Sequence, residues 1–186
     1  THLKKLRWKW HIYWQDYLVN LASYMPKSLT HLQLKCNFKG DIFDKENNEF
    51  YNKLSELPYL DSISLNFNCL HDENQVMKIG LLKNVQILKL HLNNCYFDYL
   101  GLSKMFDPEK LEELKLELDI NEMPSQDEIL YFLRDLKKCS KLRHLMVRGL
   151  NFNWPIPWQS IFDTLRSLKC LSELILVLST RFEYYK

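Results

Sequence analysis

Leucines recur along this chain in one spaced pattern. The pattern L-x-x-L-x-L, or a close apolar variant of it, begins at seven positions: Leu3, Leu29, Leu60, Val85, Leu111, Leu142 and Leu171. The first and last starts lie 168 residues apart over six intervals, so the mean period is 28 residues. Leu fills 35 of the 186 positions. A repeat of this length predicts short units that stack and share one core, because no single unit buries its own apolar face.

Two periodicities alternate within the units. Around the motif, apolar and polar residues alternate, as in Leu88-Lys-Leu90-His-Leu92, and this period of two predicts a β-strand. Between motifs the spacing becomes helical, and Ser125-Gln-Asp-Glu128 has the pattern of a capping box. We therefore predict a strand followed by a helix in each unit. The predicted helical stripes are Tyr17, Leu18, Leu21 and Tyr24; Phe50, Leu54 and Leu57; Ile129, Leu130, Phe132, Leu133 and Leu136; and Trp158, Ile161, Phe162, Leu165 and Leu168.

The copy that begins at Leu60 reads Leu60-Asp-Ser-Ile63-Ser-Leu65-Asn-Phe-Asn68-Cys-Leu70. It resembles the pattern L-x-x-L-x-L-x-x-N-x-L of the leucine-rich repeat family, and the resemblance extends over nearly all of residues 1–186. A strand–helix unit of this length is similar to the ribonuclease-inhibitor-like class of that family. The resemblance implies an α/β fold, a solenoid in the form of a horseshoe arc. Its parallel β-sheet would line the concave face, and its helices would cover the convex face.

The asparagine of this motif is degraded in several copies, so the chain is identified as a divergent member of the family. In the family, this side chain bonds backbone groups of neighbouring coils. The equivalent residues are His11, Asn37, Asn93, Asp119, Leu150 and Ser179. Because Leu150 cannot form such hydrogen bonds, we predict an irregular turn in the unit that contains it.

If motif positions four, six and eight point into the core, positions three, five and seven point outward. The family resemblance implies that this concave surface binds proteins. Four of the outward residues on the first two strands are basic and none is acidic, whereas Glu113, Glu117 and Glu173 come later. For any single residue, an ordinary solvated strand position remains an open interpretation. The candidate partner-binding residues are Lys5, Arg7, Lys9, His31, Gln33, Lys35, Ser64, Asn66, Lys89, His91, Lys115, Glu117, Met146 and Arg148.

We expect a non-enzymatic scaffold that mediates protein–protein interaction or the assembly of a larger complex, with no cofactor, metal, membrane partner or small-molecule substrate. One alternative is an RNA-associated component of a ribonucleoprotein, in which the basic first strands contact phosphates and Trp8 and Trp10 stack on bases. Packing of these tryptophans is favoured, because both fall at inward positions. A second alternative is a regulatory or targeting region of a larger enzyme.

Several chemistries are disfavoured by what the sequence lacks. The four glycines form neither GxGxxG nor a P-loop, and there is no HExxH or GxSxG motif. The five cysteines, which include no CxxC pair, are expected to be reduced and buried rather than bridged or bound to zinc. His31 and His91 lie near Cys36 and Cys95, but packing is favoured over a thiol–imidazole pair.

The ends of the chain lead to two further expectations. The first residues form no signal peptide and no N-glycosylation sequon occurs, so we expect an intracellular protein, in the first instance cytoplasmic, with the nucleus or an organelle left open. The chain starts at Thr1 rather than Met, so we expect a portion of a longer chain. Two groups of residues are expected to be partly bare unless further repeats or a partner cover them: Trp8, Trp10 and Trp14 at one end, and residues 175–178 with Phe182 and Tyr184 at the other.

Overall fold

The computed structural model describes residues 2–11, 16–38, 45–69, 76–77, 82–93, 96–97, 105–119, 125–152 and 154–180. The strands in these ranges are β1 (Lys5–His11), β2 (His31–Phe38), β3 (Ser62–Cys69), β4 (Val76–Met77), β5 (Ile87–Asn93), β6 (Tyr96–Phe97), β7 (Glu113–Asp119), β8 (His144–Phe152) and β9 (Glu173–Thr180). The helices are α1 (Asp16–Ser23), α2 (Lys45–Ser55), α3 (Gln126–Leu136) and α4 (Trp158–Ser167).

Seven strands form one parallel sheet in the order β1-β2-β3-β5-β7-β8-β9, which is also their order along the chain. Each strand pairs with the next without a shift in motif position: Arg7 lies opposite Gln33, and Gln33 lies opposite Ser64. The prediction that the seven motif segments lie side by side in one parallel sheet is therefore confirmed. The α/β class is confirmed as well, and this stacking is compatible with a solenoid.

A backbone ladder at motif position two links the units. The carbonyl oxygen of Lys4 accepts hydrogen bonds from the N–H groups of Thr30 and His31, at 2.8 and 3.0 Å. The carbonyl oxygen of Thr30 then accepts from Asp61 and Ser62, both at 3.1 Å. The same arrangement continues through every later unit to Ser172. Each turn into a strand therefore satisfies its backbone donors on the preceding unit.

The core lies on one side of the sheet, between the sheet and the helices. On β2, β3, β5, β7 and β8, the side chains at motif positions four, six and eight are all buried. They join one apolar cluster with Phe50 and Leu54 of α2 and with Ile129 and Phe132 of α3. The capping box that starts α3 is present, since Glu128 N donates to Ser125 Oγ and Ser125 N donates to Glu128 Oε2. Burial of one large aliphatic side chain contributes about 1.5–3 kcal/mol, so this ladder of leucines supplies much of the folding free energy.

A helix is predicted in every unit, but for the connections after β3 and β5 this prediction falls largely on residues outside the described ranges. After β3 and after β5, the described residues contain the short strands β4 and β6, which pair in parallel as a separate two-stranded sheet. The described units therefore share their strand, and two of them also contain a short strand in the described part of their connection.

The irregularity predicted at Leu150 is present, but its cause differs from the one expected. Gly149 has φ +83° and forms a bulge, so that the register between β8 and β9 shifts between Arg148 and Leu150. Leu150 is then paired with Leu178 at motif position eight, and Asn151 is paired with Ser179 at position nine. Asn151, not Leu150, is thus the equivalent of Asn68. The one-residue insertion at Gly149 therefore keeps an asparagine, Asn151, at motif position nine of this unit.

The two ends of the sheet are less well covered than its middle. Trp8 of β1 and Leu174 of β9 occupy inward positions, yet they are 40% and 42% exposed. This confirms the expectation of a partly bare end at Trp8, whereas the side chains of Trp10, Trp14, Phe182 and Tyr184 lie outside the described residues. Three residues of the predicted helical stripes are also exposed and were assigned wrongly: Tyr24 lies beyond the end of α1, and Trp158 and Phe162 lie on a face of α4 that no described helix covers.

Candidate functional site

The face of the sheet opposite the helices, here called the open face, carries the candidate site. Its side chains come from motif positions three, five and seven, and none of the twenty-one is fully buried. All fourteen predicted partner-binding residues lie on it, because strand alternation places them there. Parallel register arranges the side chains in three rows that cross the strands. Row three is Lys5, His31, Ser62, Ile87, Glu113, His144 and Glu173; row five is Arg7, Gln33, Ser64, Lys89, Lys115, Met146 and Ile175; row seven is Lys9, Lys35, Asn66, His91, Glu117, Arg148 and Val177.

The three carboxylates of the open face, Glu113, Glu117 and Glu173, are all paired within the molecule. Lys89 Nζ lies 2.7 Å from Glu113 Oε1, and His144 Nδ1 lies 3.0 Å from Glu173 Oε2. Glu117 has two partners, His91 Nδ1 at 2.7 Å and Lys115 Nζ at 3.0 Å. The hydrogen bond from His91 is the main cause that holds the pKa of Glu117 below its ordinary value, and Lys115 adds to it against the opposing effect of partial burial. The pairing partners lie on neighbouring strands or on the same strand.

The cations of the first two strands, unlike these carboxylates, are not paired with described residues. Lys5, Arg7 and Lys9 of β1 and Lys35 of β2 are exposed, and none forms an ion pair with any residue that the structure describes. We call these four residues the basic cluster. Lys9 lies directly opposite Lys35 in the register, so two like charges face each other across adjacent strands. Such a pair is unfavourable, and an anion bound between the side chains would relieve the repulsion.

Small polar side chains fill the middle of the open face. β3 contributes Ser62, Ser64 and Asn66, which are all half-buried. Asn66 Oδ1 is buried and has no hydrogen-bond partner within the described ranges. An unsatisfied buried acceptor costs free energy, so Asn66 is a locally unfavourable feature of this face. Strand alternation predicted that Asn66 lies on this face. The lack of a described hydrogen-bond partner for its Oδ1 could not be predicted, because it depends on how the neighbouring side chains pack.

Asn68, the motif asparagine of β3, does not form the hydrogen bond that the family pattern implies with any described residue. Asn68 Oδ1 is also buried without a partner in the part of the chain that the structure describes. The residues after β3, 70–75, are outside the described ranges. The predicted hydrogen bond from Asn68 to a neighbouring coil is therefore absent from the described contacts.

A cleft of about 170 Å³ lies on the open face across β5, β7, β8 and β9. Met146 and Ile175, which are neighbours in row five, provide its apolar side chains. The ion-paired residues Lys89, Glu113, His144 and Glu173 also line it. The sequence did not indicate this cleft. Strand alternation predicted that all of these residues point to the open face, but the list of fourteen candidates includes Met146 and not Ile175, Glu113, His144 and Glu173, because no motif marks where neighbouring side chains leave a gap.

The thiols do not assemble with the histidines of this face. Cys36 is on the helix side of β2, whereas His31 is on the open face, so the two cannot pair. Burial raises the pKa of Cys36 and of Cys139 to about 12, which keeps both protonated. Cys170 is exposed, so the expectation that it is buried is wrong: it lies in the turn before β9 rather than under a helix. Cys95 lies outside the described residues.

His31 itself bonds locally. Its Nδ1 is 2.7 Å from Thr30 Oγ1, while Asp61 Oδ1 is 3.9 Å away, beyond hydrogen-bond distance. Within the described ranges no group of three or more His, Cys, Asp or Glu residues is arranged to hold a metal ion.

Comparisons with known proteins give no guide to this site. No protein-family model, no curated protein and no solved structure gives a significant match to the chain. No described helix has the length and apolar character required to cross a membrane.

Proposed function

We propose that this chain is a leucine-rich repeat solenoid of the ribonuclease-inhibitor-like class, curved as a horseshoe with the open face on its concave side. In this proposal it is a non-enzymatic scaffold that mediates protein–protein interaction or complex assembly. The order of the seven parallel strands, which follows their order along the chain, and the period of 28 residues support the family assignment. Solenoids of stacked repeats use such extended faces for binding.

The partner that the charges favour is an acidic protein segment. The observation that carries this proposal is the unequal pairing of charges on the open face. Every carboxylate of rows three, five and seven has a basic partner, whereas the four cations of the basic cluster have no anionic partner among the described residues. Carboxylates of a partner would complete the pairing and relieve the repulsion between Lys9 and Lys35.

RNA is less suited to this face than an acidic protein. Trp8 pairs in register with the buried Leu34, so its ring lies on the helix side, whereas Arg7 and Lys9 point to the open face. Phosphate contacts and base stacking would then come from opposite faces of one strand. The described face has no Phe, Tyr or Trp side chain in any of its three rows.

The test is binding of a fluorescently labelled peptide of alternating glutamate and serine to the whole chain, measured by anisotropy. We expect the variant Lys5→Glu/Arg7→Glu/Lys9→Glu/Lys35→Glu to bind at least about tenfold more weakly than the wild type. The control variant Lys27→Glu/Lys83→Glu/Lys141→Glu/Lys169→Glu changes the net charge equally. It alters exposed lysines in the turns before β2, β5, β8 and β9.

Equal weakening in both variants, or no binding to the wild type, would contradict the proposal. A second titration uses single-stranded RNA of the same total charge. Tighter binding of that RNA than of the peptide, lost in the basic-cluster variant, would favour the ribonucleoprotein alternative instead.

A further inference from the structure

We infer that the acidic segment of the partner crosses the strands along row five and places an apolar side chain in the cleft, about seven residues beyond its first acidic contact. The inference rests on the proposed function and deepens it, because it states the pattern of residues that the partner must present. Three features of the open face carry it: the composition of row five, the middle of the sheet and the cleft.

Row five has a composition unlike that of its neighbours. It contains no carboxylate, whereas rows three and seven contain Glu113, Glu173 and Glu117. Its first five side chains carry hydrogen-bond donors and its last two are apolar. An extended acidic segment therefore meets no negative charge in line with its path. In strand order the row is Arg7, Gln33, Ser64, Lys89, Lys115, Met146 and Ile175.

The middle of the row provides contacts for a peptide backbone. Ser64 is short, so it does not block an extended chain that lies across β3. Its hydroxyl and the side-chain amide of the half-buried Asn66, beside it in row seven, are uncharged polar groups. Further along, Lys89 and Lys115 already neutralise Glu113 and Glu117, so these carboxylates do not repel the segment strongly.

The cleft provides the apolar end of the path. Its volume of about 170 Å³ exceeds the roughly 150 Å³ of a cavity known to hold benzene, so a leucine or phenylalanine side chain has room. Met146 and Ile175 form apolar contacts, and Met adapts to differently shaped groups. The ion pairs Lys89–Glu113 and His144–Glu173 surround them as a polar rim, the arrangement found at the centre of protein interfaces.

The distance between the two ends sets the spacing in the partner. Arg7 on β1 and Met146 on β8 are separated by five strand-to-strand steps. At about 4.8 Å per step this is roughly 24 Å. An extended chain advances about 3.3 Å per residue, so about seven residues connect an acidic group at Arg7 to an apolar group at Met146.

The experiment compares labelled peptides that contain an acidic cluster, a glycine–serine spacer of graded length and a final leucine, phenylalanine or alanine. We expect the leucine and phenylalanine peptides to bind about tenfold more tightly than the alanine peptide when the spacing is near seven residues, and to lose this advantage at much shorter spacings. In the variant Met146→Gln/Ile175→Thr, the advantage disappears while the acidic cluster alone binds as it does to the wild type. Val177→Thr is the matched control, because Val177 is an exposed residue of β9 that does not line the cleft.

The two proposals fail in different ways. If a peptide with the acidic cluster alone does not bind, the proposed function is wrong and this inference falls with it. If the acidic cluster binds but leucine or phenylalanine adds nothing at any spacing, the path along row five is wrong while the acidic docking site stands. An apolar advantage that survives in Met146→Gln/Ile175→Thr would place the anchor elsewhere and would also overturn the inference.

Discussion

Gly149 is the residue on which the pairing of β8 with β9 depends. Its backbone has φ +83°, a region that residues with a Cβ rarely adopt. A Cβ at this position would also overlap the carbonyl oxygen of Leu118 on the neighbouring strand. The bulge at Gly149 lets Leu150 enter the core and Asn151 reach the asparagine position.

We therefore predict that Gly149→Ala lowers the free energy of unfolding by about 2 kcal/mol or more, from backbone strain and displacement of β7. Urea unfolding followed by circular dichroism measures this. Arg148→Ala, at the exposed neighbouring position, is the control and should change the free energy by less than about 0.5 kcal/mol. Equal stability of Gly149→Ala and wild type would show that the bulge is not required.

Glu117 makes a contribution to stability that depends on pH. Because the pKa of Glu117 in the folded state is lowered, chiefly by the hydrogen bond from His91, its contribution is present above the ordinary glutamate pKa of about 4.3. The contribution is lost as the pH falls through the folded-state pKa. We predict that Glu117→Gln is less stable than wild type at neutral pH by at most about 1 kcal/mol, and that the difference shrinks below about pH 4.

Unfolding free energies of the wild type and Glu117→Gln, measured across the acidic range, test this prediction. Glu109→Gln is the control, because Glu109 is exposed and has no ion pair within the described ranges. A wild-type advantage over Glu117→Gln that stays constant down to the lowest pH would contradict the assigned role of the His91 and Lys115 contacts.

At the scale of elements, β1 and β2 show a conflict between stability and the proposed binding. Lys9 and Lys35 face each other in the register. We predict that Lys35→Glu raises the free energy of unfolding by about 0.2–1 kcal/mol, because it converts a repulsive cross-strand pair into an attractive one. The same change should weaken binding of the acidic peptide. Lys35→Gln should lie between wild type and Lys35→Glu in both properties, and a loss of stability in Lys35→Glu would contradict this account.

The elements also show which parts of the fold were open to prediction. The strand ladder is encoded locally, in residues such as Leu88 and Leu90 that alternate within a few positions, and each copy repeats the signal. The short strands β4 and β6 carry no such repeated signal, and among the described residues they pair with each other. The bulge escaped motif counting, because one inserted glycine moved Leu150 and Asn151 by a single position.

At the scale of the whole molecule, the open face was predicted but its charge pairing was not. Alternation was enough to place Lys5 and Glu117 on that face. The ion pairs of the acidic side chains depend on side-chain positions on several strands. The cleft beside Met146 depends on them as well. The exposed Trp8 and Leu174 lie on the two outer strands of the described sheet, whereas neighbouring units cover the equivalent residues in its middle.

The most direct test of the open face as the binding surface is an amide chemical-shift titration of the isotope-labelled chain with the acidic peptide. The account predicts that the largest changes occur on β1 and β2, around Arg7, Gln33 and Lys35, and that they are absent when the four residues of the basic cluster are reversed in charge. The largest changes on α3 or α4, with β1 and β2 unaffected, would contradict it.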